Sequence, residues 1–102
     1  MNLQYAEAMT LVDAIVDGLP ENNGAEIVLA PPTIYLHDVL DRIQRKPGIA
    51  LSAQDVSAHE RGAFTGEVAA SMLASVGVEY VIVGHSERRE YHHEDHPLLA
   101  AK

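Results

Sequence analysis

The sequence contains no cysteine and no tryptophan, and aromatic residues make up only 5% of its 102 residues. Without cysteine, the chain has no disulfide, no thiolate metal ligand and no cysteine nucleophile. Basic residues are also few, since 7 Lys and Arg stand against 15 Asp and Glu and leave a net charge of −8. This balance disfavours a nucleic-acid or anionic-membrane surface, which requires a basic patch. An anionic small substrate stays compatible, because a local site can be positive on an acidic protein.

Long apolar runs are missing as well. No segment reaches the roughly 20 apolar residues of a membrane span, and the amino terminus has no basic stretch followed by an apolar one, as a signal peptide would. We therefore expect a cytoplasmic protein with no membrane contact. A hydrophobic content of 47% is ordinary for a globular protein, and the length allows one small domain with a modest core.

Apolar patterning predicts helices that alternate with strands. Helices are predicted over 3–19, from a Thr33 cap to Lys46, over 68–76 and from Pro97 to Lys102, and strands over 27–30, 49–53 and 80–83. The strands show no polar alternation, so we expect each to be buried on both faces. This order predicts a parallel α/β fold. Three parallel strands with open edges make a poor free-standing sheet, which suggests an incomplete domain.

His85 follows the third predicted strand, where the chemistry of parallel α/β proteins is placed. Ser86 is a candidate N-cap for a short helix. The positive end of that helix favours a neutral imidazole, which can donate a hydrogen bond to a substrate oxygen. Glu87, Arg88, Glu90 and Glu94 could form an ion-pair lattice around this turn. From position alone, a structural histidine beside a solvated charged face is an equal alternative.

Two other stretches are candidate sites. Residues 91–96 hold three histidines and two acids, but their spacing fits no zinc signature and favours a surface run. Residues 62–67 (Gly-Ala-Phe-Thr-Gly-Glu) lie in a long connection and match no phosphate-binding signature, so an interface or an ordered loop is the better interpretation. His37 and His59 look incidental.

Four stretches together resemble the triosephosphate isomerase family. They are 30–36 (Ala-Pro-Pro-Thr-Ile-Tyr-Leu), 52–54 (Ser-Ala-Gln), 62–67 and 83–89 (Val-Gly-His-Ser-Glu-Arg-Arg), and they occur in the family's order and spacing. The resemblance implies part of a TIM (β/α)8 barrel. Residues 1–102 would be an incomplete domain that supplies the second to fourth strands, with no first strand and no strands five to eight.

The resemblance also implies an activity, the interconversion of dihydroxyacetone phosphate and glyceraldehyde 3-phosphate through an enediol, with no cofactor and no metal. His85 matches the family's electrophilic histidine, which polarises the carbonyl of the triose phosphate substrate. Ser86 and Glu87 match supporting residues of the active site.

An oligomeric state is implied as well. Phe64, Thr65, Gly66 and Glu67 match the loop that docks into the neighbouring subunit of a homodimer. Arg88 matches an ion-pair partner near that loop, and Glu94 matches the acid that forms a structural ion pair with Arg88.

Other parts of the family's site have no match in this sequence. The substrate-binding lysine precedes the family's Met-Asn pair, and the glutamate base, the closing lid and the phosphate-binding glycine turns lie beyond the region matched. We therefore expect a fragment that is inactive alone. The alternative function is a non-catalytic interaction or metal-binding module built on a half-barrel, supported by the 91–96 cluster and the 57–67 loop.

Overall fold

Within the residues described by the computed structural model (2–20, 24–44 and 46–102), three parallel strands form one sheet in the order β1-β2-β3. The strands are β1 (Ile27–Leu29), β2 (Ile49–Ala53) and β3 (Tyr80–Val81), and the helices are α1 (Tyr5–Gly18), α2 (Leu36–Ile43), α3 (Ala70–Ser75), α4 (Ser86–Tyr91) and α5 (His96–Ala101). A 3₁₀ turn, Thr33–Tyr35, precedes α2. The predicted parallel α/β fold is confirmed.

The core lies where α1 and α2 cover the central strand β2. Its members are apolar side chains that recur at helical spacing on α1 (Met9, Val12, Val16) and α2 (Leu36, Val39, Ile43), together with Leu51 and Ala53 of β2. Leu51 and Val39 are completely buried. Four of the five residues of β2 are buried, as expected for a central parallel strand.

The expected burial of the two outer strands is wrong. Val28 in β1 is 41% exposed, and the residues from Tyr80 to Val83 are each 38–42% exposed. Each outer strand has a neighbour on one side only in the described sheet, so part of its apolar surface stays uncovered. The third strand is also shorter than predicted, since it ends at Val81 and not at Val83.

The start of the second helix differs from the prediction. Thr33 does not cap it, because the chain leaves Pro32 through the 3₁₀ turn and enters α2 only at Leu36. Arg45, predicted in the last turn, lies outside the described residues. Lys46 lies beyond the helix, and its Nζ donates to the Leu19 carbonyl after the end of α1. That contact satisfies a carbonyl which the helix itself leaves free.

Not every apolar residue of the predicted helices is buried, and Tyr5, Ile34, Met72 and Val76 are among the exposed ones. Ile34 is 78% exposed in the 3₁₀ turn, and Met72 in α3 is 56% exposed, although its neighbour Leu73 is buried. Helix α3 runs from Ala70 to Ser75 and not from 68 to 76. Periodicity finds the apolar face of a helix, but it does not show how much of that face is covered.

None of the helices in the described ranges is long and apolar enough to cross a membrane. The longest, α1, has 14 residues. At 1.5 Å per residue it spans about 21 Å, which is less than the roughly 30 Å of a bilayer's hydrocarbon core.

We expect Leu51→Ala to lower the free energy of unfolding by about 2–5 kcal/mol, because it leaves a cavity in the centre of the core. Leu11→Ala is the matched control, since Leu11 lies on α1 but is 49% exposed, and it should cost less than about 1 kcal/mol. Urea denaturation of the two variants measures the difference. Equal losses would contradict the assignment of β2 as the centre of the core.

Candidate functional site

The carboxyl ends of the three strands meet at one edge of the sheet. The Gln54 side chain, just after β2, donates from Nε2 to the Ala30 carbonyl after β1 at 2.8 Å. On the other side, Ile82 N–H donates to the Ala53 carbonyl at 2.9 Å. His85 follows three residues after this last contact, so its side chain belongs to the edge at which parallel α/β proteins place chemistry.

His85 itself caps α4, in the place predicted for Ser86. Its Nδ1 accepts a hydrogen bond from the Glu87 N–H at 3.3 Å, and Ser86 is already the first helical residue. A protonated nitrogen cannot accept this bond, so the contact requires the tautomer that carries its hydrogen on Nε2. The Glu87 carboxylate is 3.8 Å from Nδ1, too far for a hydrogen bond. The side chain of His85 is 51% exposed, so the imidazole is accessible to a ligand.

Gly84 makes the turn between β3 and His85 possible. Its φ of +75° lies in the left-handed region, which only glycine adopts without strain. A Cβ at this position would also lie 3.0 Å from Nη2 of Arg89 and 3.2 Å from Cδ1 of Leu99. Arg89 closes the turn, since its Nε donates to the Gly84 carbonyl at 2.9 Å.

Four charged side chains form a closed ring behind this turn. Arg88 binds Asp55 (Nη2 to Oδ2, 2.8 Å) and Glu94 (Nε to Oε1, 2.8 Å). Lys102 binds the same two carboxylates, with Nζ at 2.6 Å from both Asp55 Oδ1 and Glu94 Oε1. We call Asp55, Arg88, Glu94 and Lys102 the charge ring. Each acid contacts both bases, so the ring is electrically balanced.

Glu94, like Lys102, is a buried member of the charge ring, and it is not part of a surface run as expected for 91–96. Its side chain is 3% exposed. Burial alone raises the pKa of Glu94, and it is the largest single effect. The hydrogen bonds from Lys102 and Arg88 and their positive charges outweigh it together, so the pKa of this carboxyl lies below its ordinary value of 4.5. Glu94 is therefore ionised at neutral pH.

The histidines of the 91–96 stretch are exposed. His93 has a φ of 55°, in the left-handed region, so α4 does not continue beyond its C-cap, His92. Among the described residues, no three His, Asp or Glu side chains are grouped as ligands for a metal ion. The metal-binding alternative thus loses the cluster on which it depended.

The loop of residues 57–67 is ordered by its own contacts. Ser57 N–H donates to the Val68 carbonyl at 2.9 Å and closes the base, and Glu67 N–H donates to the Phe64 carbonyl at 3.0 Å. The ring of Phe64 stacks face to face on His59, with centroids 3.7 Å apart and planes 3° apart. His59, which looked incidental in the sequence, is thus a specific partner of Phe64.

The outer part of this loop is open to partners. Phe64 is 42% exposed, and Thr65, Gly66 and Glu67 are exposed as well. A cavity of about 420 Å³ lies between the loop and the residues after β3, and Arg88 and Glu94 line its far side. The loop and the charge ring therefore face one another across open space.

Comparison with known proteins shows the relationships of this chain. The family model described as "Triosephosphate isomerase" matches residues 1–102. The chain belongs to the triosephosphate isomerase family. Proteins named triosephosphate isomerase are 50% identical in Xylella fastidiosa (strain M12), over 98 residues that cover 96% of this chain, and 45% identical in Nocardia farcinica (strain IFM 10152), over all of it. The one from Delftia acidovorans (strain DSM 14801 / SPH-1) is 44% identical over 102 residues.

The chain spans about 40% of the length of these triosephosphate isomerases: 39% for Xylella, 40% for Nocardia and 41% for Delftia. The resemblance found in the sequence and the partial barrel fold are thereby confirmed. Three parallel strands with flanking helices are what a fragment of such a fold contains. The exposure of the outer strands is consistent with this, since each has a neighbour on one side only in the described sheet.

Sequence reasoning missed two members of the charge ring, Asp55 and Lys102. It expected Glu87 and Glu90 in the lattice instead, and both remain outside the ring. No local signal could have identified Asp55, because its contact with Lys102 joins residues 47 positions apart. Lys102 could not be identified either, because a lysine is almost never buried unless it is paired. The sequence therefore gave no reason to expect it inside the molecule.

We expect the stability of the chain to fall at acid pH through Glu94. Because its pKa is lower in the folded state than in the unfolded chain, its stabilising effect is complete above about pH 4.5 and is lost as pH falls through the lowered pKa. Glu94→Gln should therefore be less stable at neutral pH and should change less between about pH 6 and pH 3. Glu60→Gln, at an exposed position, is the control. Denaturation at a series of pH values tests this, and an unchanged pH dependence in Glu94→Gln would contradict it.

Proposed function

We propose that this chain carries the carbonyl-polarising histidine of a triosephosphate isomerase and does not catalyse the reaction by itself. The observation behind the proposal is the contact between Glu87 N–H and His85 Nδ1 at the carboxyl edge of the sheet. It leaves the hydrogen of the imidazole on Nε2, where a neutral donor can reach a substrate oxygen. A neutral imidazole at a helix start is the established pattern of this family.

The proposed substrate is a triose phosphate, dihydroxyacetone phosphate or glyceraldehyde 3-phosphate. As a proton leaves the carbon next to the carbonyl, negative charge develops on the carbonyl oxygen. A hydrogen bond from His85 Nε2 to that oxygen would stabilise this charge and the enediol that follows. Ser86 and Glu87 support the histidine, Glu87 through its own N–H. No cofactor is needed, because the reaction only moves protons within one molecule.

We propose that the isolated chain is inactive because it covers only part of the length of its relatives. Three-fifths of the length of the relatives has no counterpart in the match, and barrel active sites draw residues from the ends of several strands. A general base alone contributes about 10²–10⁴-fold to rate. His85 by itself would thus polarise a carbonyl without an agent to remove the proton.

A homodimer is the proposed assembly, with Phe64, Thr65, Gly66 and Glu67 as the docking residues. Their exposure and the self-contained order of the loop support this, since a loop already ordered by the His59 stack has less freedom to lose on binding. Arg88 lies across the cavity from the loop, as an ion-pair partner near it would. We place the protein in the cytoplasm, the compartment of glycolysis.

In a coupled isomerase assay, the 102-residue chain should show a kcat/KM at least about 10²–10⁴-fold below that of the Xylella fastidiosa enzyme measured alongside. Dihydroxyacetone phosphate added at high concentration should still shift the NMR signals of the His85 ring, and leave those of His37 unchanged. His37, 76% exposed on α2, is the internal control. Turnover within tenfold of the full-length enzyme would refute inactivity, and equal shifts of the two histidines would refute the role of His85.

Light scattering after size exclusion should give the mass of a dimer for the wild-type chain and of a monomer for Phe64→Ser. Truncating the ring removes its exposed apolar surface and its stack on His59. Tyr91→Ser removes an aromatic ring that is 69% exposed elsewhere, and this variant should remain dimeric. A wild-type monomer, or a dimer that survives Phe64→Ser, would exclude this loop as the docking element.

A further inference from the structure

Helices α4 and α5 and the residues that join them, 86–102, have almost no apolar anchor; we call this helix-loop-helix segment the hairpin. Each helix has six residues and no buried one, and helices this short are not stable alone. Glu94 is the only residue between 82 and 102 that is buried as a whole, and the charged side chain of Lys102 is buried as well. The cavity of about 420 Å³ separates the hairpin from the 57–67 loop. Polar contacts must therefore determine where the hairpin lies.

Of the four members of the charge ring, three belong to this hairpin: Arg88 in α4, Glu94 between the helices and Lys102 after α5. Asp55 alone lies outside it, two residues after the end of β2. Its two carboxylate oxygens bind opposite ends of the hairpin, Oδ2 accepting from Arg88 and Oδ1 from Lys102. One carboxylate thus ties both ends of the hairpin to the central strand.

We propose that Asp55 is the positioning residue that sets the place of His85 at the edge of the sheet. The His85 carbonyl accepts from Arg88 N–H at 3.0 Å and from Arg89 N–H at 3.1 Å, so a movement of α4 carries His85 with it. On the β3 side of His85, the last hydrogen bond to β2 is that of Ile82. The turn at Gly84 separates His85 from this bond. This inference rests on the proposed role of His85, but it concerns only the position of that residue.

The charges indicate what a neutral residue in place of Asp55 would do to the charge ring in this chain. Arg88 and Lys102 both contact the same oxygen of Glu94, Oε1. Without the Asp55 charge, two cations would share one carboxylate, and their repulsion in this largely buried site would favour an opened hairpin. Asp55→Asn keeps the size and shape of the side chain, so it removes the charge with little other change.

The experiment compares Asp55→Asn with Asp41→Asn, by two-dimensional NMR of the 102-residue chain. Asp41 lies on α2, 3.6 Å from the ring of His37, so each variant removes a carboxylate and has its own nearby histidine as a reporter. In Asp55→Asn we expect the His85 ring signals to shift and the amides of 88–92 to exchange at least about tenfold faster. The His37 ring and the amides of Leu51 and Val39 should not change. In Asp41→Asn only the His37 ring should shift.

Unchanged His85 signals and exchange rates in Asp55→Asn would overturn the proposal. So would a uniform loss of protection that includes Leu51 and Val39, because Asp55 would then support the whole fold and not the hairpin. If Asp55→Asn does not fold, Asp55→Glu is measured; it keeps the charge but displaces it by one methylene, so the His85 shift must appear there too. None of these measurements requires substrate. The positioning role of Asp55 is therefore tested even if His85 does not bind a triose phosphate.

Discussion

The charge of Glu94 is buried, and the arrangement of the last fifth of the chain depends on how that charge is compensated. Burying an ionised carboxylate costs several kcal/mol unless partners compensate it. Here Arg88 and Lys102 both bind Oε1, whereas Oε2 has no hydrogen-bond partner among the described residues. Both cations lower the pKa of this carboxyl, and Asp55 binds both cations. The ring is therefore stable as a unit, and a loss at any member affects the other three.

The helices that cover β2 and the hairpin after β3 are held in place by different kinds of interaction. The first part, in which α1 and α2 cover β2, is held by apolar packing around Leu51 and Val39. The hairpin after β3 is held by ion pairs, and its helices bury no apolar residue. Apolar packing gives a rigid base for the strand ends, whereas segments with few buried contacts open at lower free energy. The proposed catalytic histidine lies at the junction of the two parts.

Local signals in the sequence predicted much of this structure. The apolar run Ile49–Ala53 predicted β2 with its correct limits, and the alternation of elements predicted the parallel sheet. Burial of the outer strands could not be predicted, because an apolar run at Tyr80–Val83 looks the same whether or not a neighbour covers it. The cap was assigned to Ser86 on residue preference, but an imidazole nitrogen can also accept the hydrogen bond. The charge ring was out of reach, since Asp55 and Lys102 meet only after the whole fold has formed.

The tautomer of His85 and its position at the edge of the sheet are determined by different parts of the chain. The tautomer is set by a donor two residues away, the Glu87 N–H, so the short stretch around His85 suffices for it wherever α4 forms. The position relative to the sheet depends on Asp55, which is 33 positions from Arg88 in the sequence and reaches it only in the folded chain. A reaction needs both, and it needs further groups held at the same edge to within fractions of an ångström. If His85 has the proposed role, the chain keeps the tautomer that this role needs while it spans about two-fifths of the length of its relatives. Chemical character is local, but the geometry that makes it useful belongs to the complete fold.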